Sequence, residues 1–329
     1  MTAPSGRALI TGITGQDGSF LAELLLEHGY EVIGMARGGP DAALGLSEHL
    51  RDRITIIGGD LRDAASLTQA VAGASADEIY HLAAPTFVPD SWREPRQTIE
   101  AIAGATATVL QAVIATHAPT RVFVASSGEM FGDADASPQR EDTACRPRNP
   151  YAAAKLLAHQ LAGQLRDHAG VHVCSGILYN HESERRPKRF VSRKITRAAA
   201  EIKLGVRSEL SLGDLSAVRD WSFAGDVMHG AWLALQHETP NDYIFASGIP
   251  HTVDDLLQAA FAHVGLDPGE YVRIDTTLTR GPEHTAPVGD PTRAHHDLGW
   301  TPACNFQQLI ARMVDADLRA LANSPDAQV

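Results

Sequence analysis

Several features are scarce in this sequence, and each scarcity closes off a class of protein. Cysteine occurs three times in 329 residues, as Cys145, Cys174 and Cys304, far apart and in no CxxC pair. That distribution argues against a disulfide frame and fits a reducing compartment. Uncharged apolar runs are short. None approaches the roughly 18 residues that a membrane-spanning helix needs. Residues 1–7 lead into the strand-like Ala8-Leu9-Ile10 with no apolar segment of signal-peptide length. Positive charge is in deficit, with 28 Lys+Arg against 40 Asp+Glu and a net charge of -12. Nucleic acid is therefore not the expected partner, because binding a polyanion requires a basic surface. An anionic small molecule needs only a local basic pocket. The histidines of Glu48-His49, His181-Glu182 and His295-His296 have neither HExxH spacing nor a cysteine at zinc-ligand distance. A cytoplasmic protein is expected, with no metal, no membrane and no nucleic-acid partner.

What the sequence does have is alternation. At 44% hydrophobic content the chain can bury a substantial core. Short β-rich runs at 7–11, 31–35, 54–57, 78–82, 121–126 and 171–178 are separated by helical patterns, which predicts βαβ units and a doubly wound parallel α/β sheet of Rossmann type. Between the first two runs, Phe20, Leu21, Leu24 and Leu25 recur at helical spacing and His28-Gly29 supplies a stop. After Leu178 a basic segment from Glu184 to Arg189 precedes a helix candidate at 193–204, and 242–246 reads as one more strand. The expected organisation is a dinucleotide-binding region at 1–180 with return segments about 218–247, interleaved with a smaller α/β substrate-binding region at 181–217 and 248–329.

Gly12-x-x-Gly15-x-x-Gly18 follows the first strand and opens the first helix. Glycines there let the backbone turn tightly and approach a pyrophosphate seated on the helix N-terminus. A plain strand-to-helix turn is the alternative, but the position as the first βα turn favours the phosphate reading. The second strand ends at Arg37, where NAD-specific sheets place an acid for the ribose hydroxyl. A cation there suits the 2′-phosphate of NADP, although a solvated surface arginine would look the same, and NAD stays possible. Asp60 and Leu61 after the third strand fall near the adenine, and Leu82, Ala83 and Ala84 after the fourth line the approach to pyrophosphate and nicotinamide.

Tyr151 and Lys155 are four residues apart, on one face of a helix. An ammonium beside a phenol favours phenolate, and a tyrosine so tuned can take a hydroxyl proton as hydride leaves the same carbon. An ordinary amphipathic helix could carry the same pair. Ser126-Ser127-Gly128-Glu129 after the fifth strand lies at the carboxyl edge where such sheets place ligands. Ser127 can bond a reacting hydroxyl, and Glu129 adds a carboxylate that a simple dehydrogenase does not need.

The run from Ala8 to Ser19 resembles the opening of the GDP-mannose 4,6-dehydratases, members of the extended short-chain dehydrogenase superfamily. So do Asn180-His181-Glu182-Ser183-x-Arg185-Arg186, the block from Phe190 to Arg197, Leu212-Gly213-Asp214, Arg219-Asp220-Trp221, Gly289-Asp290-Pro291 and Leu298-Gly299-Trp300. The resemblance implies an internal redox cycle with NADP. Tyr151 takes the C4 hydroxyl proton as hydride passes to the cofactor, Glu129 removes the C5 proton, water leaves from C5–C6, and the hydride returns to C6. It adds Thr14, Gln16, Asp17, Leu178, His181 and Arg186 to the cofactor contacts, beside the catalytic Ser127, Glu129, Tyr151 and Lys155. For the nucleotide sugar it implies Thr86, Asn180, Val191, Lys194, Arg219, Arg280 and Glu283, with Arg219 on the diphosphate. The basic run at 185–189 reads either as part of that site or as a solvated face.

The departures from the family pattern are local. Pro85-Thr86-Phe87 replaces the usual Gln-Ser-His, Ser127 replaces Thr, Gly281 stands for Pro, and Gly38-Gly39-Pro40-Asp41 lacks the Arg, Ser and Asn-Thr residues that bind phosphate and reach a neighbouring subunit. The same dehydration on another nucleotide sugar, such as a GDP-heptose, is the nearest alternative, and an epimerase or ketoreductase of the same superfamily the next. A homo-oligomer, dimer or tetramer, is expected from the frequency of closed symmetric assemblies.

Overall fold

The computed structural model describes residues 5–278 and 285–323. Its strands are β1 Arg7–Thr11, β2 Glu31–Ala36, β3 Thr55–Gly58, β4 Glu78–His81, β5 Arg121–Ser127, β6 Val173–Leu178, β7 Asn180–Glu182, β8 Leu210–Leu212, β9 Val218–Phe223, β10 Asp242–Phe245, β11 Pro250–Thr252 and β12 Val272–Ile274. Seven of them form one sheet in the order β10-β6-β5-β4-β1-β2-β3, with every pairing parallel. This is the Rossmann-type doubly wound α/β fold that the alternation predicts.

Period-two alternation sorts the strand residues between two cores. In β1, Leu9 faces a core with Ile79, Val109, Val122 and Val124, while Ile10 faces the opposite one with Phe20, Leu21, Tyr80 and Phe123. Both faces are covered by helices, so β6 is buried along its whole length. The helix Pro150–Ala169 begins on Asn149, whose Oδ1 accepts the Ala152 N–H, and ends at Gly170 with φ +66°.

A third core, built from Ile195, Leu212, Trp221, Leu256, Phe306 and Met313, joins the helices Val191–Lys203, Val253–His263 and Phe306–Ala322. β9 belongs to a separate three-stranded sheet between β7 and β11, while β10 returns to the large sheet beside β6. The sixth strand starts at Val173, two residues later than the pattern suggests, and the helix expected at 193–204 spans Val191–Lys203.

The sequence reading misses one apolar stretch. Among the described residues, the helix Pro95–Thr116 is long and apolar enough to cross a membrane by length and composition. Its Ala101, Ile102, Ala105, Val109, Leu110 and Val113 are buried in the protein, so much of that apolar surface serves the core. Its charges, Arg96 and Glu100, pair at 2.8 Å.

Candidate active site

The strand order reverses beside β1, which pairs with β2 on one side and β4 on the other. A crevice at the carboxyl ends of the strands follows from that reversal, and the glycine turn after β1, the 82–84 segment after β4 and residues 127–129 at the end of β5 lie at those ends. Gly12 has φ +80°, and a Cβ on it would lie 3.0 Å from the Ala83 backbone. On Gly18 a Cβ would lie 2.3 Å from the Gly12 carbonyl oxygen. Gly15 caps the helix Gln16–Glu27 with no side-chain bond, leaving its first amides for an anion. Thr11 Oγ1 accepts the N–H groups of Leu82 and Ala83, both at 3.1 Å, and fixes the 82–84 segment against the turn. A close-packed glycine turn with open amides fits a dinucleotide pyrophosphate.

The first helical turn is tied to the chain after β6. Ser183 Oγ donates to Gln16 Oε1 at 2.7 Å, Gln16 Nε2 donates to the His181 carbonyl at 3.2 Å, and His181 Nε2 lies 3.0 Å from Asp17 Oδ2. Burial works against ionising Asp17, but the His181 charge and hydrogen bond outweigh it and hold the carboxyl down at about 2. Burial likewise opposes the His181 cation, and Asp17 outweighs it, so the imidazole titrates above its ordinary value. Arg186 Nε pairs with the buried Glu182 at 3.1 Å, and its guanidinium lies 3.8 Å from the Phe190 ring centre. The charge of Arg186 acts on both Asp17 and Tyr151.

At the adenine end, Arg37 is exposed just beyond β2. Asp60 sits below its usual range, first because the Arg62 N–H bonds it and further because of the Arg62 and Arg37 charges. Leu61 is half-buried and Leu178, ending β6, is buried.

The chemical end lies across the crevice. Ser127 ends β5, and its Oγ accepts the Glu129 N–H at 3.2 Å. Asn149, which caps the helix of Tyr151 and Lys155, donates from Nδ2 to Glu129 Oε2 at 3.1 Å. The same asparagine thus starts that helix and holds the carboxylate. Tyr151 and Lys155 share a buried face, but the electrostatics differ from the expectation. Lys155 Nζ donates to the Ala125 carbonyl at 2.7 Å and stands 5.9 Å from the Tyr151 ring centre. Burial pushes the phenol up to about 12, the Ser127 bond pulls it down and the Glu129 charge pushes it up. Burial also lowers Lys155 to about 8. Burial is therefore the largest influence on Tyr151 and favours the phenol over the phenolate.

Of the residues implied for the sugar nucleotide, Asn180 opens β7 opposite Trp221. Lys194 Nζ donates to the Ser211 carbonyl at 2.6 Å, and burial lowers its pKa. Arg219 Nη1 donates to the Val218 carbonyl at 2.5 Å, with His251 opposite it on β11. Thr86 and Val191 are exposed. Arg280 and Glu283 lie outside the described residues.

The GDP-mannose 4,6 dehydratase family model matches residues 9–313. The chain belongs to the GDP-mannose 4,6-dehydratase family. GDP-mannose 4,6 dehydratase 1 of Arabidopsis thaliana is 41% identical over 327 residues, covering 96% of this chain and 90% of that protein. The human GDP-mannose 4,6 dehydratase is 36% identical, covering 99% and 95%. Among solved structures, RMD from Pseudomonas aeruginosa complexed with NADPH superposes with a TM-score of 0.82 at 24% identity, covering 96% of this chain and 100% of that one. The dTDP-glucose 4,6-dehydratase DesIV of Streptomyces venezuelae, with NAD and TYD bound, gives 0.83 at 23% identity, covering 98% and 100%. These two share the fold.

Within this GDP-mannose 4,6-dehydratase family member, the departure at 85–87 has a structural consequence. The Phe87 ring meets Phe190 edge-on at 5.7 Å, with the Arg189 guanidinium 4.3 Å from the Phe87 ring centre. The arginines of the basic run are each paired, Arg185 with Glu23, Arg186 with Glu182 and Arg189 with Asp90. Sequence reasoning missed Asn149, although an Asn before Pro150 is a helix-start signal. It also missed Asp220, which is fully buried and accepts the N–H groups of Ser247, Gly248 and Gly289 and the Ser247 hydroxyl. Asp220 lies in the family-like block Arg219-Asp220-Trp221, but nothing local to that block reports its anchoring role.

Proposed function

We propose that the protein converts GDP-mannose to GDP-4-keto-6-deoxymannose by the residues gathered at this crevice. The observation that carries the reading is Glu129, a carboxylate held by Asn149 beside Ser127 and close enough to Tyr151 for its charge to act on the phenol. A site that only oxidised or reduced a hydroxyl would not need that second acid/base.

A nicotinamide dinucleotide, which the glycine turn and the 82–84 segment would hold, would supply the hydride acceptor and donor. Ser127 orients the C4 hydroxyl, and Tyr151, once ionised to the phenolate, takes its proton as that carbon is oxidised. The C4 ketone acidifies the C5 proton. Glu129 removes that proton and passes one to the departing C6 hydroxyl, so water leaves and the carboxylate is regenerated. The hydride taken from C4 then returns to C6 as C5 regains a proton, which balances the one Tyr151 took from the C4 hydroxyl. Lys155, fixed on the Ala125 carbonyl, keeps a cation on the Tyr151 helix at neutral pH. Arg219 and Lys194 are the proposed partners of the anionic nucleotide.

NADP is the proposed dinucleotide, because Arg37 stands at the end of β2 where an acid would otherwise favour NAD. The proposal includes a cytoplasmic homo-oligomer, consistent with Cys145, Cys174 and Cys304 all being free thiols. A second reading, the same dehydration on another GDP-sugar such as a heptose, is favoured by Phe87 and its contact with Phe190 at the departing 85–87 segment.

The test is incubation of purified protein with GDP-mannose and either NADP+ or NAD+, following the sugar nucleotide by mass spectrometry. Loss of one water without net cofactor reduction is expected, faster with NADP+. No reaction with GDP-mannose but loss of water from another GDP-sugar would move the assignment to that sugar.

A further inference from the structure

Residues 181–190 run alongside the helix Gln16–Glu27 and continue toward the segment after β4. Arg185 makes the farthest contact along that helix. Its Nη1 donates to Ser19 Oγ at 2.9 Å, its Nη2 donates to Glu23 Oε1 at 2.6 Å, and its guanidinium lies 4.0 Å from the Phe20 ring centre. Glu23 Oε1 is also 2.6 Å from His49 Nε2. At the other end of the segment, Arg189 is 3.3 Å from Asp90 and stacks on Phe87. Between them stands Arg186, whose charge acts on both Asp17 and Tyr151. The segment is thus fastened to the helix Gln16–Glu27 at one end and to the 87–90 segment after β4 at the other. The helix Gln16–Glu27 does not need Arg185 to stay in place, because Leu21, Ala22 and Leu25 already bury it in the core.

We propose that Arg185 is a positioning residue that bolts residues 181–190 across the dinucleotide site, so that the cofactor stays bound for the whole reaction cycle. This rests on the dehydratase reading. A reaction that removes hydride from a sugar and returns it to the same molecule requires that the reduced dinucleotide never leave between the two halves. A dehydrogenase that exchanges its cofactor each turnover needs the reverse, a site that opens.

The test is a dissociation measurement that needs no sugar. Protein loaded with NADPH is mixed with excess NADP+, and release is followed by NADPH fluorescence. Arg185→Ala and Glu23→Gln are each expected to speed release about tenfold or more, the order expected for losing charge-assisted hydrogen bonds. Arg185→Lys, which keeps the charge but loses the fork, should recover part of the loss. During turnover of GDP-mannose by Arg185→Ala, one NADPH should accumulate in solution for each sugar left at the 4-keto stage. Glu23→Gln keeps the proposal testable if Arg185→Ala does not fold. Release at the wild-type rate in the folded variants overturns the proposal even if the protein dehydrates GDP-mannose. Release by the wild type faster than its own turnover would also overturn it. A wild type that dehydrates no nucleotide sugar refutes the dehydratase reading instead, and with it the reason for retention.

Discussion

Replacing Glu129 with Gln separates the two halves of the proposed reaction. The substitution keeps the side chain's shape, and a glutamine carbonyl can still accept the Asn149 Nδ2–H that now reaches Glu129 Oε2 at 3.1 Å. The Glu129 N–H bond to Ser127 Oγ is a backbone contact and survives. What disappears is a base and a negative charge. Loss of a positioned general acid/base typically slows a step about 10²- to 10⁴-fold, which is roughly 3–5 kcal/mol of barrier. The lost charge acts in the opposite direction on the first half. Glu129 is one of the groups that raise the Tyr151 phenol toward about 12, so its removal makes that phenol easier to ionise. Water loss by Glu129→Gln is therefore expected to fall by the full factor, while oxidation at C4 persists. The assay pairs single-turnover absorbance of the reduced cofactor with mass spectrometry of the sugar, which should stop as a 4-keto compound still carrying its C6 oxygen. Water loss at a rate near wild type would falsify the base assignment. Equal loss of both halves would place Glu129 in the scaffold instead.

Gly18→Ala is expected to abolish dinucleotide binding in a fluorescence titration, because the new Cβ would come within 2.3 Å of a backbone oxygen with no side chain free to yield. Binding near wild type would show that the turn can open. Asp17, at about 2 in the folded protein against 3.8 ordinarily, contributes about 2 kcal/mol of stability above its unfolded pKa, lost as pH falls through about 2. His181, raised above 6.5, contributes below its unfolded value and loses that contribution as pH rises through its folded one. Denaturant unfolding should therefore give greatest stability from this pair between about pH 4 and 6.5. In Asp17→Asn the imidazole should titrate below 6.5, because burial then acts without its opponent. An unchanged His181 titration by NMR would refute the pairing. Asp220→Ala strands the N–H groups of Ser247, Gly248 and Gly289 and is expected to cost about 3 kcal/mol or more in urea unfolding, with Asp220→Asn milder. A loss within the ordinary range for a surface substitution would contradict the anchoring role.

The parts of the site legible in the sequence are those whose partners are close in the chain. The glycine turn, the pair of Tyr151 with Lys155 and the run from Ser127 to Glu129 each announce themselves within a few residues, and β1 to β6 follow from local periodicity. The contacts that fix the site's electrostatics span long distances. His181 meets Asp17 across 164 positions and Arg185 meets Glu23 across 162. These pairings exist because β6 and the glycine turn after β1 open on one edge of the sheet, which is a property of strand order and not of composition. For the same reason the run from Glu184 to Arg189 reads equally as site or solvated face until each arginine is seen with its acid. Helical spacing likewise brings Lys155 to the Tyr151 face, yet cannot report that the Ala125 carbonyl takes the ammonium and that burial dominates both groups.

The acid at the glycine turn illustrates the difference. Asp17 sits in the first turn of a helix whose open amides suit an anion, and a lone carboxylate there would repel a pyrophosphate by like charge. The structure pairs it with His181, which burial alone would hold neutral, and sets Arg186 close enough to act on both. The carboxylate therefore favours the imidazolium form of a buried histidine at the junction between the turn and β7. Removing the negative charge by Asp17→Asn also removes the main group that favours the His181 cation, so the net charge facing the phosphates rises by less than a count of carboxylates gives. The geometry changes as well, since the bond that joins the cofactor helix to residues 181–183 loses its ionic character. Dinucleotide affinity should consequently fall in Asp17→Asn, the reverse of what charge counting from the sequence gives.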